Sequence, residues 1–226
     1  MAKDIKQEII LSVRRLVALQ LWDLGAVKVN LDNPFKLVSG NYSPIYVNCR
    51  LLISSPAFVD LYCGAVRVLC DANDIHFDVI AGGETAGIPF AAMLARAFGK
   101  PMIYVRKAVK GHGLGSLIEG DLRQGARVLL AEDLITDAGS KLSFIDAIKN
   151  VGSTVDAVVV VFDRLQGGRE ALEAINISLL SITDMQITLD AAGAAGVIKP
   201  QELVSVRKYL ESPRDWHRER NLAFSN

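Results

Sequence analysis

The sequence predicts an α/β protein, a mostly parallel sheet flanked by helices, with a small N-terminal subdomain beside it. Three observations carry this. From Phe77 onward, short apolar runs alternate with segments of helical period, the order that right-handed crossovers and parallel strands require. About the first 50 residues break that alternation. And 226 residues, half of them hydrophobic, supply one sizeable core rather than two full domains. The expectation is one domain over 1–226.

Each element has its own signal. Ile5, Ile9, Val13, Leu16 and Val17 recur at helical spacing over Ile5 to Leu21. "FKLVSGNYSPIYVN" alternates apolar positions around a Ser-Gly break and reads as a hairpin. Pro56 opens a helix to about Cys70, because a first-turn position needs no N–H. "FDVIAGG" is a buried strand ending in glycines, and "AGIPFAAMLARAFG" a helix closed by Gly99. "PMIYVRK" and "ARVLLAED" are strands, and "GSKLSFIDAIKNVG" a helix closed by Gly152. The unbroken valines of "TVDAVVVVFDR" fit a strand covered on both faces. "GREALEAINI" and "SLLSI" add a helix and a strand, and "PQELVSVRKYL" a late helix. The charged tail "SPRDWHRERN" reads as solvated, with Trp216 packing back.

Composition narrows the function. The formal net charge is zero, so nothing points to a nucleic-acid or anionic-membrane partner, which needs a basic face. Cys49, Cys63 and Cys70 are odd in number and lack metal-type spacing, as expected of reduced thiols in a cytoplasmic protein. "MAKDIKQEII" mixes charges before any apolar run and does not resemble a signal peptide. No apolar run approaches the ~18 residues of a membrane span.

In an open parallel sheet, ligands gather at the carboxyl ends of strands. Three of those ends are unusual here: "GGETAG", "RKAVKGHGLG" and "EDLITDAGS". The last places a small-residue turn at a helix start, where backbone N–H groups and the helix dipole favour an anion. Thr136 and Ser140 add hydroxyls. Glu132 and Asp133 would repel a phosphate unless a sugar lay between, its hydroxyls held by the carboxylates. A solvated acidic pair before an ordinary helix cap has the same sequence. Arg106, Lys107, Lys110 and His112 lie among Gly111, Gly113, Gly115 and Gly120. Such a loop can close on a polyphosphate, neutralise it and exclude water; a solvated surface loop is the plainer alternative. The glycines of "GGETAG" let a backbone approach a ligand, or simply make a tight turn. Neither a dinucleotide fingerprint nor a P-loop is present. Together the parts describe a sugar 5-phosphate with vicinal hydroxyls and a detachable diphosphate, as in 5-phosphoribosyl-1-pyrophosphate.

These residues resemble a known family. "VLLAEDLITDAGS" resembles the phosphoribosyl-pyrophosphate motif of type I phosphoribosyltransferases. "YVRKAVKGHGLGSLIEG" resembles the mobile loop of orotate phosphoribosyltransferases, and "FKLVSGNYSPIYVNCRLLISSP" their N-terminal hood, here about 25–55. "FDRLQGG" is similar to their Asp-Arg after a late strand. The likeness runs from about Phe35 to Gly168. It implies the type I phosphoribosyltransferase fold and the synthesis of orotidine 5-monophosphate in pyrimidine nucleotide formation. It implies a catalytic set of Lys110, His112 and Asp133. Phosphoribosyl pyrophosphate would meet Arg106, Lys107, Lys110 and His112, and the run Glu132, Asp133, Leu134, Ile135, Thr136, Asp137, Ala138, Gly139 and Ser140. Orotate would meet Thr136 and Arg164. Magnesium would travel on the diphosphate and ribose, with no metal held directly by the protein. The resemblance also implies a homodimer whose loop acts in trans.

Four positions depart from the family pattern. Ala138 stands where glycine is usual, Asp137 holds a variable position, and Asn48 stands where aspartate is common. Val38 replaces a frequent lysine, with Lys36 two residues earlier on the same strand face. Two other readings compete: a type I transferase for another base, and a non-catalytic nucleotide sensor on the same fold. The loop cations weigh against the sensor, and the hood and Arg164 against another base.

Overall fold

The computed structural model describes residues 2–37, 39–108 and 116–225. The N-terminal part comprises α1 (Ala2–Asp23), β1 (Val27–Val29), β2 (Phe35–Lys36), β3 (Tyr42–Ser43), β4 (Ile45–Val47), a 3-10 helix (Cys49–Ser54) and α2 (Pro56–Ala72). Then follow β5 (Val79–Gly83), α3 (Gly87–Phe98), β6 (Met102–Val105), β7 (Ile118–Glu119), β8 (Arg127–Ile135), α4 (Gly139–Asn150), β9 (Thr154–Asp163), α5 (Gly168–Glu173) and β10 (Ser178–Asp184). Helices α6 (Met185–Ala194), α7 (Pro200–Glu211) and α8 (Pro213–Glu219) complete the order.

The main sheet runs β10-β9-β8-β5-β6-β7, parallel except for the last strand, which pairs antiparallel with β6. From β5 the chain goes first to β6 on one side and later to β8 on the other. The strand order therefore reverses between β5 and β8, and the crevice outside their carboxyl ends is where such sheets bind ligands. One face of the sheet packs against α1, α2, α3 and α6 through Ile80, Leu129, Ala131 and Val159. The other packs against α4 and α5 through Ala81, Leu130, Val158 and Val160. The valines of β9 fill both layers with no exposure from Val158 to Val161, which is why its sequence lacks alternation.

Local chemistry sets the element ends. Ser55 caps α2 by accepting the Phe58 N–H, with Pro56 in its first turn. Gly99 closes α3 at φ +63°. In the N-terminal part, β2 pairs antiparallel with β3 around the turn at Gly40 (φ +88°), and β1 with β4. Strands β1 and β7, of three and two residues, are too short for the sequence reading to have found. Helix α6 was also missed.

The C-terminal tail is a packed element, contrary to the expectation of a solvated terminus, although Trp216 does pack back as expected. Trp216 and His217 on α8 are fully buried. His217 Nε2 accepts the Tyr42 N–H (2.9 Å) while Nδ1 meets the Pro213 carbonyl (2.6 Å). This pair of bonds fixes the neutral tautomer with its proton on Nδ1. Beyond α8, Asn41 and Ser225 exchange two hydrogen bonds (2.9 and 2.8 Å). The β2–β3 turn is thus strapped down by the chain's last described residues.

Candidate active site

Four carboxyl ends of the sheet meet at the crevice. β5 ends in Gly82 and Gly83, β6 leads to Arg106 and Lys107, β8 carries Glu132 and Asp133, and β9 leads from Asp163 to Arg164. Lys110 and His112 lie outside the described residues, as does Val38. Lys36 is exposed on β2. Arg106 Nη1 lies 3.4 Å from Glu119 Oε1, and the Lys107 N–H donates to Glu84 Oε2 at 2.9 Å.

The two adjacent carboxylates part to opposite faces, because successive strand residues alternate. Asp133 is half-buried, and its Oδ1 accepts the Leu134 N–H (2.8 Å). It lies on the side of Cys49, the first residue of the 3-10 helix, and of Arg164. Burial chiefly, then the Asp133 charge, pushes the Cys49 thiol far up, and the Arg164 guanidinium opposes this. So the end of the N-terminal part, the end of β8 and the end of β9 converge on one spot. Asp163 shapes that last turn. It is 1% exposed, accepts the Leu165 N–H at Oδ1 (2.8 Å) and pairs with Arg169 (3.5 Å). Leu165 takes φ +58°, and the Arg164 N–H donates to the Ile135 carbonyl (3.1 Å). Arg164 Nε is buried without a partner among the described residues. A cavity of about 260 Å³ opens beside it, lined also by Leu165, Gln166, Met185, Gln186 and Arg207.

Glu132 turns the other way. It is 5% exposed, and its Oε2 lies 3.0 Å from Nζ of Lys141, itself 7% exposed. Among the described residues its Oε1 has no hydrogen-bond partner. The Gly83 N–H favours the ionised form from nearby but does not close on that oxygen with bonding geometry. Burial wins over Lys141 and pushes the Glu132 carboxyl from 4.5 up to about 7. With a raised folded value, the group weighs against folding above pH ~7, and that penalty fades as pH falls toward the ordinary carboxyl range.

Between these carboxylates and α4 lies the turn Thr136, Asp137, Ala138, Gly139 and Ser140. Leu134 is half-buried, while Ile135 and Ala138 are almost wholly buried. Their side chains build the core beneath the turn, so any ligand contact from Ile135 or Ala138 is through backbone. Asp137 Oδ1 accepts the Gly139 N–H (3.1 Å) and so occupies one of the donors an anion would use. Ala138 has φ +68° and ψ 0°, the left-handed conformation for which glycine is the ordinary residue. Three effects oppose one another in Ala138→Gly. Relief of left-handed strain is worth ~1–2 kcal/mol. Loss of a buried methyl costs about 0.8 kcal/mol, and a freer unfolded chain costs about 0.4–1 kcal/mol. We expect denaturant unfolding to show a net change below about 1 kcal/mol for Ala138→Gly. Ala138→Val, adding a branch to strained backbone in a packed core, should lose at least ~2 kcal/mol.

Several contributors escaped the sequence reading. A Cβ on Gly83 would collide with Glu132 Oε1 and the Phe144 ring, and one on Gly87 with Glu132. On Gly82 it would sit 2.8 Å from the Gly87 carbonyl. The glycines expected to admit a ligand thus admit the protein itself. A Cβ on Gly168 would lie 2.7 Å from the Thr136 carbonyl, so α5 starts tight against the turn. Lys141 was missed because a lysine in a helix's first turn opposes the dipole and looks like a surface choice.

All three cysteines are free thiols. Burial pushes Cys70 up to about 11, and Cys63 is raised but only half-buried. With a thiol-specific chromogenic reagent at pH 8, Cys63 should be the first to react, and Cys49 should resist until the protein unfolds.

Fold and site define a phosphoribosyltransferase domain, and residues 64–191 match the family model described as the phosphoribosyl transferase domain. The chain is 44% identical over 207 residues to orotate phosphoribosyltransferase of Sinorhizobium medicae, covering 89% of this chain and 88% of the relative. It superposes on Leishmania donovani UMP synthase with a TM-score of 0.73 and 27% identity, over 87% of this chain but only 42% of that one. It also superposes on the Mycobacterium tuberculosis orotate phosphoribosyltransferase in complex with 5-phospho-α-D-ribosyl 1-diphosphate. There the TM-score is 0.64 and identity 29%, over 78% of this chain and 98% of that one. The chain belongs to the orotate phosphoribosyltransferase family. Among the described residues, no helix is long and apolar enough to cross a membrane.

Proposed function

We propose that the protein transfers the 5-phosphoribosyl group from phosphoribosyl pyrophosphate to orotate in the cytoplasm, giving orotidine 5-monophosphate and pyrophosphate. The ring nitrogen of orotate forms a bond to the anomeric carbon, the bond from that carbon to the diphosphate oxygen breaks, and the nitrogen's proton leaves. One observation carries this reading: Asp133 and Arg164 converge with Cys49 at the crevice, beside an anion-type turn at the start of α4.

Asp133 accepts from a ribose hydroxyl and stabilises positive charge building on the sugar carbon. Glu132 attends the other hydroxyl, and the turn from Thr136 to Ser140 holds the 5-phosphate. Arg164, with an unpartnered buried Nε, meets the orotate carboxylate, and Thr136 the ring. Arg106, Lys107, Lys110 and His112 neutralise the departing diphosphate. The carboxylates point to opposite faces and one is tied to Lys141, a donor set unsuited to a protein-held metal cage. Magnesium is therefore carried by the diphosphate and ribose, and supplies charge neutralisation to the leaving group.

The test is loss of orotate absorbance on adding phosphoribosyl pyrophosphate and magnesium, with adenine, hypoxanthine and uracil as parallel bases. Turnover of orotate alone supports the reading; turnover of another base, or of none, overturns it. The active form is a homodimer in which each loop serves its neighbour. Mixing the strongly impaired Lys110→Ala and Asp133→Asn variants in equal amounts should restore up to about a quarter of wild-type activity to the mixture, because about half the dimers are then mixed and each of those has one intact composite site of its two. Absence of recovery would show that each site is made by one chain.

A further inference from the structure

We infer that Lys141 is a positioning residue for phosphoribosyl transfer, holding Glu132 at the ribose end of the site and tying it to the 5-phosphate turn. The inference rests on the reaction proposed above.

Three observations lead to it. Lys141 lies in the first turn of α4, where the helix dipole disfavours a cation, and yet it is buried. A buried charge needs a partner, and Nζ has two: Glu132 Oε2 at 3.0 Å and Ser140 Oγ at 3.4 Å. One belongs to the acidic pair and the other to the anion turn. The ammonium therefore spans both elements that grip phosphoribose. The third observation is the space around Glu132. Gly83 and Gly87 leave no room for a Cβ beside its Oε1, so the carboxylate sits tight against the end of β5 and the start of α3, and among the described residues Lys141 is the cation that acts on it.

Lys141 touches no reacting atom in this reading. It acts by keeping Glu132 ionised and oriented. The groups facing that carboxylate are Lys141 from α4, Asp133 from β8 itself, the Tyr62 hydroxyl of α2 and the Gly83 N–H of β5. Burial, Asp133 and any neutral replacement of Lys141 all favour the protonated acid; Lys141 and the Gly83 N–H oppose it. A protonated Glu132 is a poorer acceptor for a ribose hydroxyl.

The experiment compares wild type, Lys141→Met, Lys141→Arg, Glu132→Gln and the Glu132→Gln/Lys141→Met double variant. Initial rates are measured against phosphoribosyl pyrophosphate at saturating orotate from pH 6 to 9. Lys141→Met should raise KM for phosphoribosyl pyrophosphate about tenfold at pH 8, with kcat within about threefold. Its acid limb of kcat/KM should move up by about one pH unit or more, while Lys141→Arg should keep that limb near wild type. In the Glu132→Gln background, Lys141→Met should add less than about twofold. A wild-type KM and acid limb in Lys141→Met would overturn the inference, as would a tenfold rise independent of Glu132. Should Lys141→Met fail to fold, the double variant, which removes both charges, is compared with Glu132→Gln alone: equal KM supports the inference and a further tenfold rise overturns it. Should wild type turn over no orotate, the reaction reading fails by itself. The same variants are then compared for calorimetric binding of phosphoribosyl pyrophosphate with magnesium, where unaltered affinity in Lys141→Met overturns the role of Lys141.

Discussion

Asp133→Asn should lower kcat/KM for orotate turnover roughly 30- to 150-fold, equivalent to about 2–3 kcal/mol of charge-assisted hydrogen bonding. The geometry makes this a clean substitution. Asparagine keeps the size of the side chain and an Oδ1 that can still accept the Leu134 N–H, the 2.8 Å bond that orients the group. What it removes is the negative charge on a half-buried carboxylate at the end of β8. That charge is the part that would stabilise a sugar carbon becoming cationic, an interaction stronger in the transition state than in the ground state. The loss should therefore fall on kcat as well as on KM. Thermal unfolding serves as the control, with a midpoint within a few degrees of wild type. Undiminished turnover would show that the acidic pair is structural.

Gly83→Ala should be the more damaging change to the fold, at about 2–4 kcal/mol, with turnover falling by at least tenfold in the protein that remains folded. One added methyl has no place to go. It would meet Glu132 Oε1 on one side and the Phe144 ring on the other, both buried between β5, β8 and α4. Either the ring leaves its packed position or the carboxylate leaves Lys141, and the second outcome exposes a buried lysine to an unpaired state. Gly64→Ala is the internal comparison. It sits on the exposed side of α2 with no atom within 4 Å of the new methyl. There alanine should stabilise by about 0.5–1 kcal/mol, through helix propensity alone. Denaturant unfolding of the two variants side by side tests both. Equal stabilities would mean that the space around Gly83 is softer than the structure has it.

Much of this was legible in the sequence because a parallel sheet writes itself in long apolar runs separated by helical period. The runs that became β5, β6, β8, β9 and β10 all stood out, and so did the helix ends at Pro56 and Gly99. That Ala138 stands where the motif has glycine was legible too, and its left-handed φ of +68° is the physical reason glycine is usual there. Other features were hidden for physical reasons. "MQITLDAAGA" forms α6 with Gln186 and Asp190 as its exposed polar pair, too short a stripe to mark an amphipathic helix. The β1 and β7 strands are held by pairing with β4 and β6, not by their own pattern. The bond between Glu132 and Lys141 joins a strand end to a first-turn lysine, a meeting that only the packed fold creates. In the tail, Arg214, Asp215, Arg218, Glu219 and Arg220 surround Trp216 and His217, and so many charges concealed the burial of His217, whereas the packing of Trp216 was expected.

The strap on the β2–β3 turn has a consequence for how the protein is made. Tyr42 is bonded across 175 residues of chain to His217, and Asn41 across 184 to Ser225. The first partners emerge from the ribosome early and the second ones much later, at a synthesis rate of ~5–20 residues per second. A nascent chain ending before residue 213 has already presented every strand of the main sheet, yet its early turn has only local bonds, among them the Leu37 N–H to the Asn41 carbonyl and the Gly40 N–H to the Leu37 carbonyl. The sheet can assemble during translation, but the β2–β3 turn gains its long-range bonds only after α8 and Ser225 have emerged.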